Sequence, residues 1–259
     1  MRKLIVAVVL LLAAALVADF GAAAYSEYRV SRALRDGGDL TSDPEVTIHG
    51  FPFVLQAARG EYSRVEIRAQ DVPTELIDKT TIEATLRGVT LPLSDLIDGS
   101  VGSVPVDELD GRVRIDATDL GRFLDIPDLQ VSAAPAEKSD GTGGSAGTGI
   151  TTTGAVVLSG TVGAGPLSAE VSVTAELRLD GDSVSIVATD FYFGPQGDAT
   201  FTIPDIAKST VLGFFTKKID KQQLPFGIEP TSVYAQGGQI VIDGEARNIT
   251  IDLETIGAS

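Results

Sequence analysis

Apolar and polar residues alternate strictly along several segments of the chain, and this alternation is typical of β-strands with one buried side. The longest alternating segment runs from Ala169 to Leu179. Asp180-Gly181-Asp182 follows it and predicts a hairpin turn. Shorter segments of the same kind cover 65–70, 82–87, 112–117 and 249–253. The pattern therefore predicts antiparallel sheets with one face in solvent.

Helical patterns are fewer. Residues 93–98 are expected to form one helical turn, and Asp119 is expected to cap a short helix that continues through Leu124. The stretch 205–220 predicts an amphipathic helix, with an apolar stripe of Ile206, Val211, Phe214, Phe215 and Ile219. Two interpretations of this stripe stay open: ordinary core packing on a sheet, or a lining in which Phe214 and Phe215 face an apolar groove.

The N-terminus has the pattern of a membrane-targeting segment. Arg2 and Lys3 precede an apolar run from Leu4 to Ala18, about 15 residues long. This length fits a secretory signal better than the roughly 20 residues of a spanning helix. Small residues at 22–24 offer a cleavage site, but weaker apolar character continues to Tyr25. Residues 1–24 are therefore predicted to be a signal peptide or an uncleaved membrane anchor, followed by a helix over 20–36.

In both cases the remainder of the chain is predicted to be exported, either secreted or anchored at the outer face of the cytoplasmic membrane. The 259-residue chain has 36 acidic and 20 basic residues, a net charge of −16. This balance excludes nucleic acid as a partner, because a nucleic-acid footprint is positive. It also disfavours long-range attraction to anionic lipids, so any lipid contact must rest mainly on apolar burial.

Residues for catalysis or metal binding are scarce. The chain has no cysteine and one histidine, His49, which excludes disulfides, thiolate zinc sites and cysteine nucleophiles. Residues 143–147 match Gly-x-Ser-x-Gly, but they lie in a Gly-rich stretch and not at a strand-to-helix turn. We therefore expect neither an enzyme nor a cofactor. A carboxylate-dependent glycan hydrolase is a third, weaker hypothesis, because no pair of carboxylates stands out.

A low-complexity, Gly-rich stretch at 134–149 predicts a flexible loop. It would divide the chain into halves of only about 110 residues if it were a domain linker. We therefore predict that 25–259 is a single domain with this loop between strands. A two-domain arrangement is the alternative.

Two segments near opposite ends of the chain combine aromatic residues with proline: Gly50-Phe51-Pro52-Phe53 and Leu224-Pro225-Phe226. With the ordered motifs around them, the chain resembles the LmeA-like phospholipid-binding family of actinobacterial envelope proteins, over roughly residues 20–255. The motifs that carry the resemblance are Val46–Gln56, Gly60-Glu61-Tyr62, Val65-Glu66-Ile67, Gly88–Leu93, Leu109–Val113, Asp119-Leu120, Leu224–Thr231 and the final strand from Gly244 to Ile251.

The resemblance implies an exported or membrane-anchored protein that binds phospholipid and supports lipid transfer or mannolipid (lipomannan-type) assembly. It implies an α+β, β-rich fold, a curved antiparallel sheet wrapped around an amphipathic helix, like half of a tubular lipid-binding (TULIP-like) module. The alternative function is a non-enzymatic scaffold or regulator that binds envelope glycosyltransferases. The candidate groove or rim residues are Phe51, Phe53, Leu55, Phe214, Phe215 and Phe226, and the competing interpretation of each is an ordinary core side chain.

Overall fold

The computed structural model describes residues 1–38, 40–72, 74, 77, 79–98, 102–134, 154–163, 168–181, 183–192, 205–220, 224 and 228–252. The predicted Gly-rich loop, apart from Ala134, and the candidate residue Phe226 lie outside these ranges. The chain forms two compact units. Unit 1 comprises Met1–Val72, Ile82–Gly111 and Ala246–Ser259, and unit 2 comprises Pro73–Thr81 and Arg112–Glu245.

The helices and strands follow one another along the chain as follows. The helices are α1 (Arg2–Gly37), α2 (Phe53–Arg59), α3 (Leu93–Asp98), α4 (Ala117–Leu124) and α5 (Asp205–Phe214). The strands are β1 (Glu45–His49), β2 (Glu61–Val72), β3 (Thr80–Thr90), β4 (Ser103–Asp116), β5 (Gln130–Ala133), β6 (Ala155–Val162), β7 (Ala169–Asp180), β8 (Ser183–Phe191), β9 (Lys217–Asp220), β10 (Glu229–Gln236) and β11 (Gln239–Asp252).

The strands form one sheet in the order β1-β2-β3-β4-β11-β10 and a second in the order β5-β6-β7-β8-β9. Pairing is antiparallel between β1 and β2, between β10 and β11, and between each successive pair from β5 to β9. The expectation of an α+β, mostly antiparallel fold is confirmed. Strands β4 and β11 each contribute residues to both units.

Unit 1 takes its core from the predicted alternation. Along β3 the side chains of Ile82, Ala84 and Leu86 are buried, and the residues between them are partly exposed. On β2, Val65 and Ala69 are buried, but Ile67 between them is only partly buried, so the predicted alternation holds less strictly there. The predicted helical turn at 93–98 is confirmed as α3.

Unit 2 is built on the second sheet, where Val156, Leu158 and Val173 are almost completely buried. The predicted turn after β7 is confirmed by the register, because Asp180 pairs with Ser183 across a two-residue connection. Strand β10 packs against this sheet through β5, β6, β7 and β8. The packing gives unit 2 a continuous apolar core.

Two helix predictions are wrong in detail. The helix predicted over 205–220 ends at Phe214, and Lys217–Asp220 pairs with β8 as strand β9. Phe215 and Ile219 are both buried, and a spacing of four residues puts two side chains on the same face of a helix or of a strand. The pairing of residues 217–220 with β8 shows that this segment is a strand. Asp119 lies inside the first turn of α4, where it bonds with Arg122, and the N-cap position belongs to Asp116.

Candidate functional site

Helix α1 combines an unpacked apolar half with a half that packs on unit 1. Its 36 residues correspond to about 54 Å of helix. Residues 1–18 are exposed throughout, and the helix is long and apolar enough to cross a membrane by length and composition. The predicted helix over 20–36 is confirmed and is continuous with the apolar run before it. The folded part of unit 1 therefore begins near residue 19.

The packed half of α1 holds the segment that follows it through polar side chains. The Ser31 hydroxyl donates to the carbonyl oxygen of Pro44 at 2.6 Å, and Glu27 Oε1 accepts from the backbone N–H of Ile48 at 2.8 Å. Ile48 belongs to β1, which is the edge strand of its sheet. The unpaired N–H and C=O groups of an edge strand invite association with other chains. Glu27 satisfies one of these groups within the fold.

Asp19 caps helix α2 from a different helix. Its Oδ2 accepts from the N–H of Phe53 at 2.9 Å, and its Oδ1 accepts from the N–H of Val54 at 2.8 Å. The first N–H groups of a helix have no partner within the helix, and Pro52, the residue at the N-cap position, provides no side-chain bond. The carboxylate is 7% exposed. Asp19 therefore satisfies two backbone donors and places a negative charge at the favourable end of the helix dipole.

Helix α2 has a buried side and an exposed side. Phe53 is buried, with its ring 6.1 Å from that of Tyr62. On the other side Phe51, which precedes the helix through a cis peptide bond to Pro52, is exposed, as are Val54 and Leu55. Each of these three side chains is at least half exposed, which is unusual for neighbouring large apolar residues.

The exposed side of α2 is continuous with α1. The ring of Phe51 stacks on the ring of Phe20, with 6.3 Å between centroids, and Phe20 is itself exposed. We call Phe20, Phe51, Val54 and Leu55 the α2 apolar surface. It begins where the unpacked apolar half of α1 ends.

The buried side of α2 contains an unusual polar group. Within the part of the chain that the structure describes, the buried hydroxyl of Tyr62 has no hydrogen-bond partner. Burial raises the pKa of this hydroxyl above its ordinary value. Tyr62 thus contributes its ring to the packing beneath Phe53, and its hydroxyl adds a desolvation cost.

In unit 2, α5 and the residue after it place two adjacent phenylalanines differently. Phe215 is fully buried, and Phe214 is 41% exposed. Lys208 of α5 lies 3.0 Å from Asp190, and its hydrogen bond lowers the pKa of that carboxyl. The ion pair connects α5 to β8.

The predicted site residues thus fall into separate groups. The structure brings Phe51, Phe53 and Leu55 together around α2, with Phe53 inside and the other two in solvent, and it places Phe214 and Phe215 in unit 2. Sequence reasoning missed Asp19, Phe20 and Val54. Asp19 was visible only as the end of an apolar run, and its bonding partners lie 34 and 35 residues away. A search of the described residues finds no group of three or more His, Cys, Asp or Glu side chains that could hold a metal ion.

These features define a β-rich α+β protein that has an N-terminal helix of membrane-spanning length and an apolar surface beside it. The sequence model of the LmeA-like phospholipid-binding family matches residues 17–245. The chain belongs to this family, and the resemblance noted from its motifs is confirmed. The comparisons find no matching relative among curated proteins and no matching solved structure.

Proposed function

We propose that this chain is an exported cell-envelope protein that binds phospholipid at the outer face of the cytoplasmic membrane and acts without catalysis. The observation that carries the proposal is membership of the LmeA-like phospholipid-binding family over residues 17–245. The exposed apolar residues next to a helix of membrane-spanning length support it independently. In this proposal residues 25–259 act as one lipid-binding domain.

The binding energy in this proposal comes from the acyl chains. Burying a methylene group stabilises a complex by about 0.8 kcal/mol, so two acyl chains with about twenty buried methylenes supply roughly 16 kcal/mol to set against the cost of association. A net charge of −16 makes general electrostatic attraction to anionic lipids an unsuitable source. We propose an apolar groove in a curved sheet wrapped around an amphipathic helix, as in a TULIP-like module. In unit 1, Phe51 and Leu55 would be rim residues supported by the buried Phe53, and in unit 2, Phe214 would be an apolar contact supported by the buried Phe215.

A bound phospholipid has two further consequences in this proposal. A protein that shields acyl chains from water can carry a lipid between membrane and acceptor, which supports transfer. It can also present a lipid to the enzymes that assemble mannolipids. The second candidate function is a scaffold that binds envelope glycosyltransferases, and the exposed Leu93 and Ile97 of α3 favour it as further apolar contacts outside α2.

The test is native mass spectrometry of the full chain released from detergent micelles, followed by lipid extraction. We expect one phospholipid to survive delipidation, and the extract identifies its headgroup. A phospholipid with a photoreactive acyl chain then locates the lipid. Cross-links beyond residue 24 that unlabelled phospholipid competes away support a site in the domain.

Two results would contradict phospholipid binding. One is a mass without lipid that stays unchanged after incubation with envelope lipids. The other is cross-linking confined to residues 1–24, which indicates lipid around α1 alone. A lipid-free chain that co-purifies with a membrane glycosyltransferase would favour the scaffold.

A further inference from the structure

The unpacked apolar run of α1 is shorter than a bilayer core. Residues Leu4–Ala18 correspond to about 23 Å of helix, whereas the hydrocarbon core is about 30 Å thick. If α1 crosses the membrane from its positive N-terminus, Asp19 and Phe20 lie at the outer boundary of the hydrocarbon. The part of the fold that contacts Phe20 then lies at the same depth as the lipid of the outer leaflet.

The start of helix α2 is the part of the fold that lies beside Phe20. The two hydrogen bonds of Asp19 hold the N–H groups of Phe53 and Val54 within 2.9 Å of its carboxylate oxygens. The stacking of Phe51 on Phe20 fixes a second residue at the start of the same segment. The start of α2 is therefore fixed beside the end of the unpacked helix, and its exposed side chains are fixed with it.

We propose that the α2 apolar surface docks into the outer leaflet of the bilayer that α1 crosses. The proposal rests on the export proposed above and adds the retention of α1 as an anchor, and its occupant is the lipid bilayer. The four side chains are 50–66% exposed, and Phe20 follows the unpacked apolar run of α1 directly after Asp19. Docking extends the apolar length from about 23 Å toward the full hydrocarbon thickness and removes these side chains from water.

The charge at the other end of α2 fits the same orientation. Arg59 is exposed in the last turn, four residues after Leu55 and hence on the same helix face. A long basic side chain beside a buried apolar residue reaches the phosphate layer while its stem stays in apolar surroundings. Arg59 thus supplies a local positive charge for lipid phosphates in a chain that is acidic overall.

Docking requires that α1 is retained after export. Cleavage at the small residues 22–24 would remove Asp19 and Phe20, leaving two α2 N–H groups without their carboxylate and Phe51 without its stacked ring. The family match begins at residue 17 and includes both residues. The folded unit therefore contains residues from both sides of the candidate cleavage site. In this proposal, residues 1–24 are an uncleaved anchor.

The absence of cysteine from the sequence permits a clean test with single-cysteine variants. Val54→Cys and Leu55→Cys carry an environment-sensitive fluorophore in the full chain, reconstituted in zwitterionic phospholipid vesicles with and without brominated acyl chains. Ser42→Cys is the control. Ser42 is exposed, and its neighbour Asp43 pairs with Arg35. Arg35 lies about 24 Å along α1 from Asp19, so position 42 is far from the α2 apolar surface.

We expect blue-shifted emission that bromine quenches at positions 54 and 55, and an aqueous, unquenched spectrum at position 42. Aqueous spectra at all three positions would overturn the proposal. So would a blue shift at position 54 that bromine does not quench, because protein would then cover the surface. A second copy of this chain is indicated if that shift depends on the protein-to-lipid ratio.

Retention of α1 is tested separately by the intact mass of the chain purified from membranes. A mass that includes residues 1–24 supports the proposal, and a mass that begins after them overturns it. Neither measurement needs a lipid bound in the domain. A lipid-free native mass with quenched fluorophores would therefore contradict phospholipid binding alone, and the reverse result would contradict docking alone.

Discussion

Replacing Asp19 tests whether α1 and α2 form one structural unit. In Asp19→Ala both N–H groups at the start of α2 lose their acceptor in a buried position. We expect the first turn of α2 to open more often and Phe51 to lose its fixed position against Phe20. Asp19→Asn keeps one carbonyl oxygen as an acceptor and should have a smaller effect.

The size of the effect follows from the two hydrogen bonds. A hydrogen bond to a charged group contributes about 1.5–3 kcal/mol, and replacing a capping Asp by Ala costs about 0.5–2 kcal/mol. The two bonds share one carboxylate and are not additive, so we expect a loss of about 3 kcal/mol for Asp19→Ala. At 1.4 kcal/mol per factor of ten, this is a roughly hundredfold rise in the opening equilibrium.

Hydrogen exchange of the Phe53 and Val54 amides, measured on the full chain in detergent micelles, reports this opening directly. Asp36→Ala is the matched control, because Asp36 is on the same helix but makes only an exposed pair with Arg35. Exposed pairs contribute about 0–1 kcal/mol. Exchange at residues 53 and 54 that is the same in Asp19→Ala and Asp36→Ala would refute the role of Asp19 as a cap.

Three further predictions concern single side chains. Tyr62→Phe should leave the free energy of unfolding unchanged or raise it by up to about 1 kcal/mol, because a buried hydroxyl without a partner in the described structure is removed. It should also remove the stability loss that the raised pKa of Tyr62 predicts above pH 10. In denaturant titrations, a clear loss of stability at pH 7 would contradict the first expectation, and an unchanged loss above pH 10 would contradict the second. Asp128→Asn should make stability depend less on pH in the acid range. Hydrogen bonds from Thr161 lower the pKa of Asp128 below 3.8, so the stability that this carboxylate contributes is present above pH 3.8 and is lost as the pH falls through the lowered pKa. An unchanged midpoint of acid unfolding would contradict this prediction. Gly160→Ala should lower the stability in thermal unfolding by about 1–3 kcal/mol, because its Cβ would lie 2.4 Å from a buried isoleucine methyl group. Gly213→Ala in α5 meets no atom within 4 Å and should raise the stability by up to about 1 kcal/mol. Equal melting temperatures of the two variants would contradict this prediction.

The strands were predictable because burial repeats every two residues over long segments. Ile82, Ala84 and Leu86 are buried as the pattern predicts, and the turn after β7 joins Asp180 to Ser183 as expected. The end of α5 was not predictable in this way. Phe215 and Ile219 satisfy helix and strand spacing equally, and only pairing with β8 distinguishes them.

The candidate site was predictable in part. The aromatic segment at 51–53 marked the right place, but its pattern could not tell which ring is buried. Phe53 packs on Tyr62 and Phe51 faces solvent because Asp19 fixes the start of α2. That bond joins residues far apart in sequence, so no local pattern contains it. Apolar character alone therefore identified the segment, and tertiary contacts determined its orientation.

The division of the chain into units has a consequence for biosynthesis. Unit 1 contains α1 at the beginning of the chain and the second part of β11 at its end. A ribosome synthesises α1 before Ala246 and the residues after it, so unit 1 cannot be complete until these later residues have been made. Until then, the edge of β4 that neighbours β11 in the sheet lacks part of its partner strand. Premature termination anywhere before residue 246 would leave unit 1, which contains α1, without its part of β11.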